Sequence, residues 1–126
     1  MPAHYTIDKD RRLVMSTAKG AFTMADALTH GKALLQDPDF DPSFSQLFDL
    51  TQITEWKVEP DEVRRFAQYT VFSAHSRRAF LVASDLVFGY MRMFEMLRDS
   101  RGEEGIRVFR NRDEAMAWAL PNHSAP

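Results

Sequence analysis

No cysteine occurs in the 126 residues, which excludes a disulfide framework, a thiolate nucleophile and a cysteine-ligated zinc site, and is compatible with a reducing compartment. Long apolar runs are missing as well. Nothing approaches the ~20 residues that a membrane-spanning helix needs, and the opening MPAHYTIDKD is too polar for a secretory signal. The sequence therefore predicts a cytoplasmic protein with no integral membrane association. Charge of one sign is not in excess: 16 Lys and Arg stand against 18 Asp and Glu, a formal net charge of −2. The whole-molecule field draws in neither nucleic acid nor an anionic membrane surface. Catalytic signatures are absent too. There is no Gly-x-Ser-x-Gly elbow, Walker loop, His-Glu-x-x-His or Gly-x-Gly-x-x-Gly. The histidines at 4, 30, 75 and 123 have no partner at ligand spacing, so a non-catalytic protein without metal or cofactor is expected.

What remains is a chain with 44% hydrophobic residues, enough for one core, and hence one domain over residues 1–120 with a frayed tail at 121–126. Its strongest pattern is Arg77 to Arg101. Ala79 to Ala83 offers no polar residue to solvent and suits a strand covered on both faces. Ser84 and Asp85 then cap a helix that groups Leu86, Val87, Tyr90, Met93, Phe94 and Leu97 on one face, opposite Arg92, Glu95 and Asp99. Upstream, Tyr5 and Ile7, a turn at Asp8–Arg11 and Leu13–Met15 predict a hairpin ended by Gly20. Thr23 and Asp26 form a capping box for a helix over Met24–Gln36. Its inward face is Met24, Ala27, Leu28, Gly31, Leu34 and Leu35, and its outward face Asp26, Thr29 and His30. Gly31 is expected to let that helix approach the sheet.

Asp37–Ser43 carries three alternate aspartates but neither the glycine nor the glutamate of a calcium loop, so it reads as a solvated turn with Phe40 and Phe44 tucked inward. A strand over Ser45–Leu50 follows, then an irregular stretch over Thr51–Glu59. Pro60 opens a helix reaching about Ala74, with Val63, Phe66, Ala67 and Thr70 inward. Ile106–Phe109 is the last strand. Asn111 and Glu114 cap a short helix bearing Ala115, Trp118 and Ala119.

The resulting order β-β-α-β-α-β-α-β-α resembles the SpoIIAA-like proteins, relatives of STAS and CRAL-TRIO domains. Four signatures carry the likeness: the loop DPDF with a strand ending FDL, the segment RRAFLVASDLVFGYMRMFE, the strand IRVF and the ending DEAMAWAL. The resemblance implies an α/β fold with a mixed, mostly parallel five-stranded sheet flanked by helices. STAS regulators carry a phosphorylatable serine in an Asp-Ser-Ser/Thr-Gly motif. Here the chain reads Asp49-Leu50-Thr51-Gln52, and Thr51 is the one conceivable substitute, so phospho-switching is not carried over. The lipid-carrier role of CRAL-TRIO proteins transfers less readily still, because the chain lacks the length of their lipid-enclosing lobe.

Two candidate sites follow. In open α/β sheets ligands bind beyond the carboxyl ends of the strands, an edge that gathers Asp49, Thr51, Ser84, Asp85, Arg110 and Asn111. Helix amides there could hold a phosphate or carboxylate, with Arg110 or Arg112 as counter-charge, although Ser84, Asp85 and Asn111 are also fully explained as caps. The second is an interaction surface. Phe88 falls among charges, where Arg92 can stack on it, and Met91 and Trp56 would extend a partner-binding patch if they adjoin it. The leading expectation is a small non-catalytic binding or regulatory domain that acts through a protein partner or homodimer. The alternatives are a carrier or sensor of a small amphipathic, lipid-like ligand and an enzyme using Asp49 and Asp85. A continuous apolar cavity would favour the carrier; a flat aromatic patch over a solid core would favour the partner.

Overall fold

The computed structural model describes residues 3–120; the tail expected to fray lies outside the described residues. Strands β1 (Ala3–Asp8) and β2 (Leu13–Phe22) form the hairpin, followed by α1 (Met24–Gln36), β3 (Ser45–Trp56), α2 (Pro60–Phe66), β4 (Arg78–Leu81), α3 (Asp85–Asp99), β5 (Ile106–Phe109) and α4 (Arg112–Ala119). The five strands lie in sequence order, β1 antiparallel to β2 and all later pairs parallel. Each parallel crossover steps the same way across the sheet, and right-handed crossovers then put α1, α2 and α3 on one face. The second face is left to α4, which packs Ala115 and Ala119 on Leu13, Leu47, Ala79 and Leu81.

Helix starts follow local chemistry. The Thr23/Asp26 capping box is present at α1, Ser84 Oγ accepts from the Val87 amide at α3, and Asn111 Oδ1 accepts from the Glu114 amide at α4. The aspartate loop is a set of side-chain turns: Asp37 takes the Asp39 amide at 2.9 Å and Asp41 the Ser43 amide at 2.8 Å, while Phe44 is buried beneath them.

Four boundaries differ from the sequence reading, the smallest change being β4, which runs Arg78–Leu81 rather than Ala79–Ala83. Gly20 does not end β2; its φ of +70° sits at a register shift and the strand continues to Phe22, so the glycine makes a bulge. The stretch after Leu50 is not irregular. Residues 51–56 continue β3 because Lys19, Gly20, Ala21 and Phe22 pair with Gln52, Ile53, Glu55 and Trp56. Helix α2 stops at Phe66, well short of Ala74. The Arg98 guanidinium takes the carbonyls of Ala67 at 3.1 Å and Tyr69 at 2.7 Å, drawing the chain out of helical geometry and leaving Thr70 exposed. Leu35 and Leu86, expected inward, are exposed. Gly31 makes room for that same connection rather than for the sheet, since a Cβ there would lie 3.0 Å from Tyr69 and 3.2 Å from Val71.

Candidate functional site

At the carboxyl edge of the sheet every predicted group already has a protein partner. Asp49 is buried, accepts from the Thr51 amide at 2.8 Å and hydroxyl at 2.6 Å, and is ion-paired with Arg112 of α4. Asp85 is exposed and pairs with Arg110 at 2.8 Å. Ser84 and Asn111 are engaged as caps. Asp49 and Asp85 are therefore each matched to their own arginine and do not form a carboxylate pair. Among the described residues no group of three or more His, Cys, Asp or Glu side chains could hold a metal ion.

The predicted aromatic patch is also taken apart by the packing. Met91, expected beside the polar strip, is buried in the core. Phe88 is half-buried under Arg110, whose guanidinium lies 4.4 Å from the ring centroid. Arg92 instead pairs with Glu95 at 3.0 Å. Trp56 stacks on Phe22 at 5.7 Å and packs against Tyr90 at 5.3 Å. The large hydrophobic side chains left exposed, Leu35, Leu86 and Met96, are single residues on two helices.

An apolar concave feature lies between the sheet and its three-helix face. Helix α2 packs on α3 and α1 leans on β1, but α1 and α2 have no comparable packing on each other. Beneath their gap is an apolar slot of about 70 Å³ walled by Phe22, Phe48, Phe66, Phe72, Phe80 and Phe94. Its half-buried lining residues, Met24 and Ala27 of α1, Trp56 of β3 and Phe66 of α2, mark where it meets the surface. Trp56 Nε1 is buried and has no acceptor among the described residues.

Polar side chains appear at one end of the slot, where His30, Gln46 and Arg78 join the lining. Gln46 and Arg78 are register partners on β3 and β4. Arg78 Nε donates to Gln46 Oε1 at 3.4 Å, Gln46 Nε2 donates to Ser16 Oγ at 3.0 Å, and Ser16 Oγ shares a 2.8 Å hydrogen bond with His30 Nε2. His30 packs between Tyr5 at 5.6 Å and Phe48 at 4.8 Å. Burial, then the nearby positive charges of Arg78 and His4, push its pKa from 6.5 down to about 4, so the imidazole is neutral at physiological pH. Burial also lowers Arg78, helped by Arg98, to about 9.

Sequence reasoning missed this cluster. The sequence reading places His30 on the outward face, yet it stands three residues after Ala27 and four before Leu34, a spacing that belongs to the inward stripe. The same reading starts this strand at Ala79 and gives Arg78 no role, although Arg78 alternates with Phe80 and Val82 and so shares their face.

No family model matches the chain, and no curated protein does. Among solved structures the chain is similar to an uncharacterized protein of the DUF3478 family with a SpoIIAA-like fold from Shewanella loihica PV-4. The identity is 15%, 93% of each chain is covered and the TM-score is 0.61. The architecture, a mixed sheet with four helices, is a SpoIIAA-like fold.

Proposed function

We propose that this domain binds a small amphipathic ligand in the slot beneath α1 and α2, and acts as its carrier or sensor. The observation that carries the reading is an apolar, aromatic-walled slot with polar groups at one end, the usual composition of a small-molecule site, under two helices that are not packed on each other. The partner-binding alternative has less to rest on, with Met91 in the core and Phe88 under Arg110. The enzymatic alternative has its two carboxylates neutralised separately.

The test is a titration of the full chain with eight-carbon amphiphiles, 1-octanol and octanoate in turn, followed by the indole N–H resonance of Trp56 and the amides of Ala27 and Gly31. Saturable shifts at these positions, abolished when Ala27→Trp fills the opening, are the expected result. If neither compound moves them, or if Ala27→Trp responds as the wild type does, the slot is not a binding site.

A further inference from the structure

One end of the slot carries a positive charge that forms no ion pair among the described residues, the nearby Glu103 being paired with Arg98. Arg78 is only 9% exposed. Its guanidinium lies 4.6 Å from the Phe72 ring centroid, 5.5 Å from that of Phe80 and 5.9 Å from that of Phe94. Among the described residues its one side-chain hydrogen bond is the long one to Gln46, and it has no ion pair. The neighbouring buried Arg98 is different: it pairs with Glu103 and holds two backbone carbonyls. Two guanidinium groups and one carboxylate leave this interior with an excess of one positive charge. Burying an uncompensated ion is costly even after relaxation, and aromatic faces offset only part of that cost. Deprotonation does not relieve the cost at neutral pH, because the Arg78 pKa remains at about 9. The bond from Gln46 to Ser16 fixes the amide so that its oxygen faces Arg78 Nε, which leaves the terminal nitrogens of the guanidinium for something else.

We propose that the ligand is a monocarboxylic acid with an apolar body, its carboxylate seated on the guanidinium of Arg78 and its tail lying along the aromatic wall toward the gap between α1 and α2. This rests on the slot reading above and names the class of its occupant. A guanidinium fork matches a carboxylate in two parallel hydrogen bonds, and an excess of one positive charge matches a monoanion. A phosphate monoester would bring close to two negative charges against it. The slot's 70 Å³ is about half the ~150 Å³ of an engineered cavity that admits benzene. Entry of such an acid therefore parts α1 from α2, the helix pair with little mutual packing to lose.

His30 supplies a reporter that needs no substitution. Its pKa is held down by burial, by Arg78 and by His4, while its contacts with Ser16, Tyr5 and Phe48 are with uncharged groups. A carboxylate on Arg78 cancels part of the repulsion, so the His30 pKa rises when the acid binds.

The experiment compares octanoate with 1-octanol on the wild-type chain and on Arg78→Gln, with affinities from calorimetry and the His30 ring titration from NMR. Octanoate is expected to bind the wild type about tenfold more tightly than octanol or better, the scale of a hydrogen bond to a charged group. That preference disappears in Arg78→Gln, and saturating octanoate, but not octanol, raises the His30 pKa. Equal affinities in the wild type, or a preference kept by Arg78→Gln, overturn the acid assignment while leaving the slot in place. Failure of both compounds to bind overturns both readings. Should Arg78→Gln not fold, the wild-type chain decides alone: a His30 pKa unmoved by saturating octanoate overturns the proposal.

Discussion

His30 shows how much one side chain can owe to its surroundings. Its folded pKa of about 4 lies below the ordinary 6.5, so between these values the unfolded chain binds the extra proton and the folded chain resists it. The contribution is fully present above pH 6.5 and is lost as pH falls toward 4. At ~1.4 kcal/mol per unit it amounts to about 3 kcal/mol. Urea unfolding at pH 7 and pH 5 is expected to show about 2 kcal/mol of this loss in the wild type and a flatter response in His30→Gln; equal slopes would count against a buried neutral imidazole. Single residues were legible in the sequence when their role was local. Thr23, Ser84 and Asn111 act on amides three residues ahead and were found as caps. His30 and Arg78 have inward spacing, but the partners that make burial of such polar groups tenable, Ser16, Gln46 and Phe72, reach them from distant parts of the chain.

Elements divide the same way. Helices α1, α3 and α4 carry their start signals in their own sequence. The second half of β3 exists because of β2, more than thirty residues away on average, and the end of α2 is set by Arg98 on α3. Local propensity has no access to either. The start of β4, which places Arg78, depends on another distant contact. The Gly105 carbonyl oxygen accepts from the Arg78 amide at 2.7 Å, and a Cβ at Gly105 would lie 2.0 Å from the backbone oxygen of Ser76. The atom in the way is backbone and cannot swing aside. Gly105→Ala is therefore expected to destabilise by about 3 kcal/mol, the upper end of overpacking costs, whereas Gly89→Ala, with nothing near its added methyl, is not. Chemical denaturation of the two variants side by side checks this; equal stability would remove the claimed contact.

At the scale of the whole molecule the two faces of the sheet have different duties. One helix, α4, closes the second face with small residues against Leu13, Leu47 and Ala79 and is tied down through Arg112 and Asp49. Three helices share the other face, and the slot lies where two of them fail to meet. A ligand that binds only the folded chain at 100 times its dissociation constant adds about 2.7 kcal/mol, which for a domain of this size raises the melting temperature by roughly 10 °C. Octanoate at that ratio is expected to produce such a shift in the wild type and little in Ala27→Trp. An unchanged melting temperature would mean that the acid does not discriminate folded from unfolded chain. The sheet order has a further consequence, for how the structure comes into being. Every strand lies beside its neighbour in sequence, so no strand must wait for a distant segment to be inserted between its partners. The sheet can grow by accretion outward from the β1–β2 hairpin, with loop-closure entropy spent in small instalments. That topology keeps the contact order below that of a sheet whose strands interleave out of sequence order.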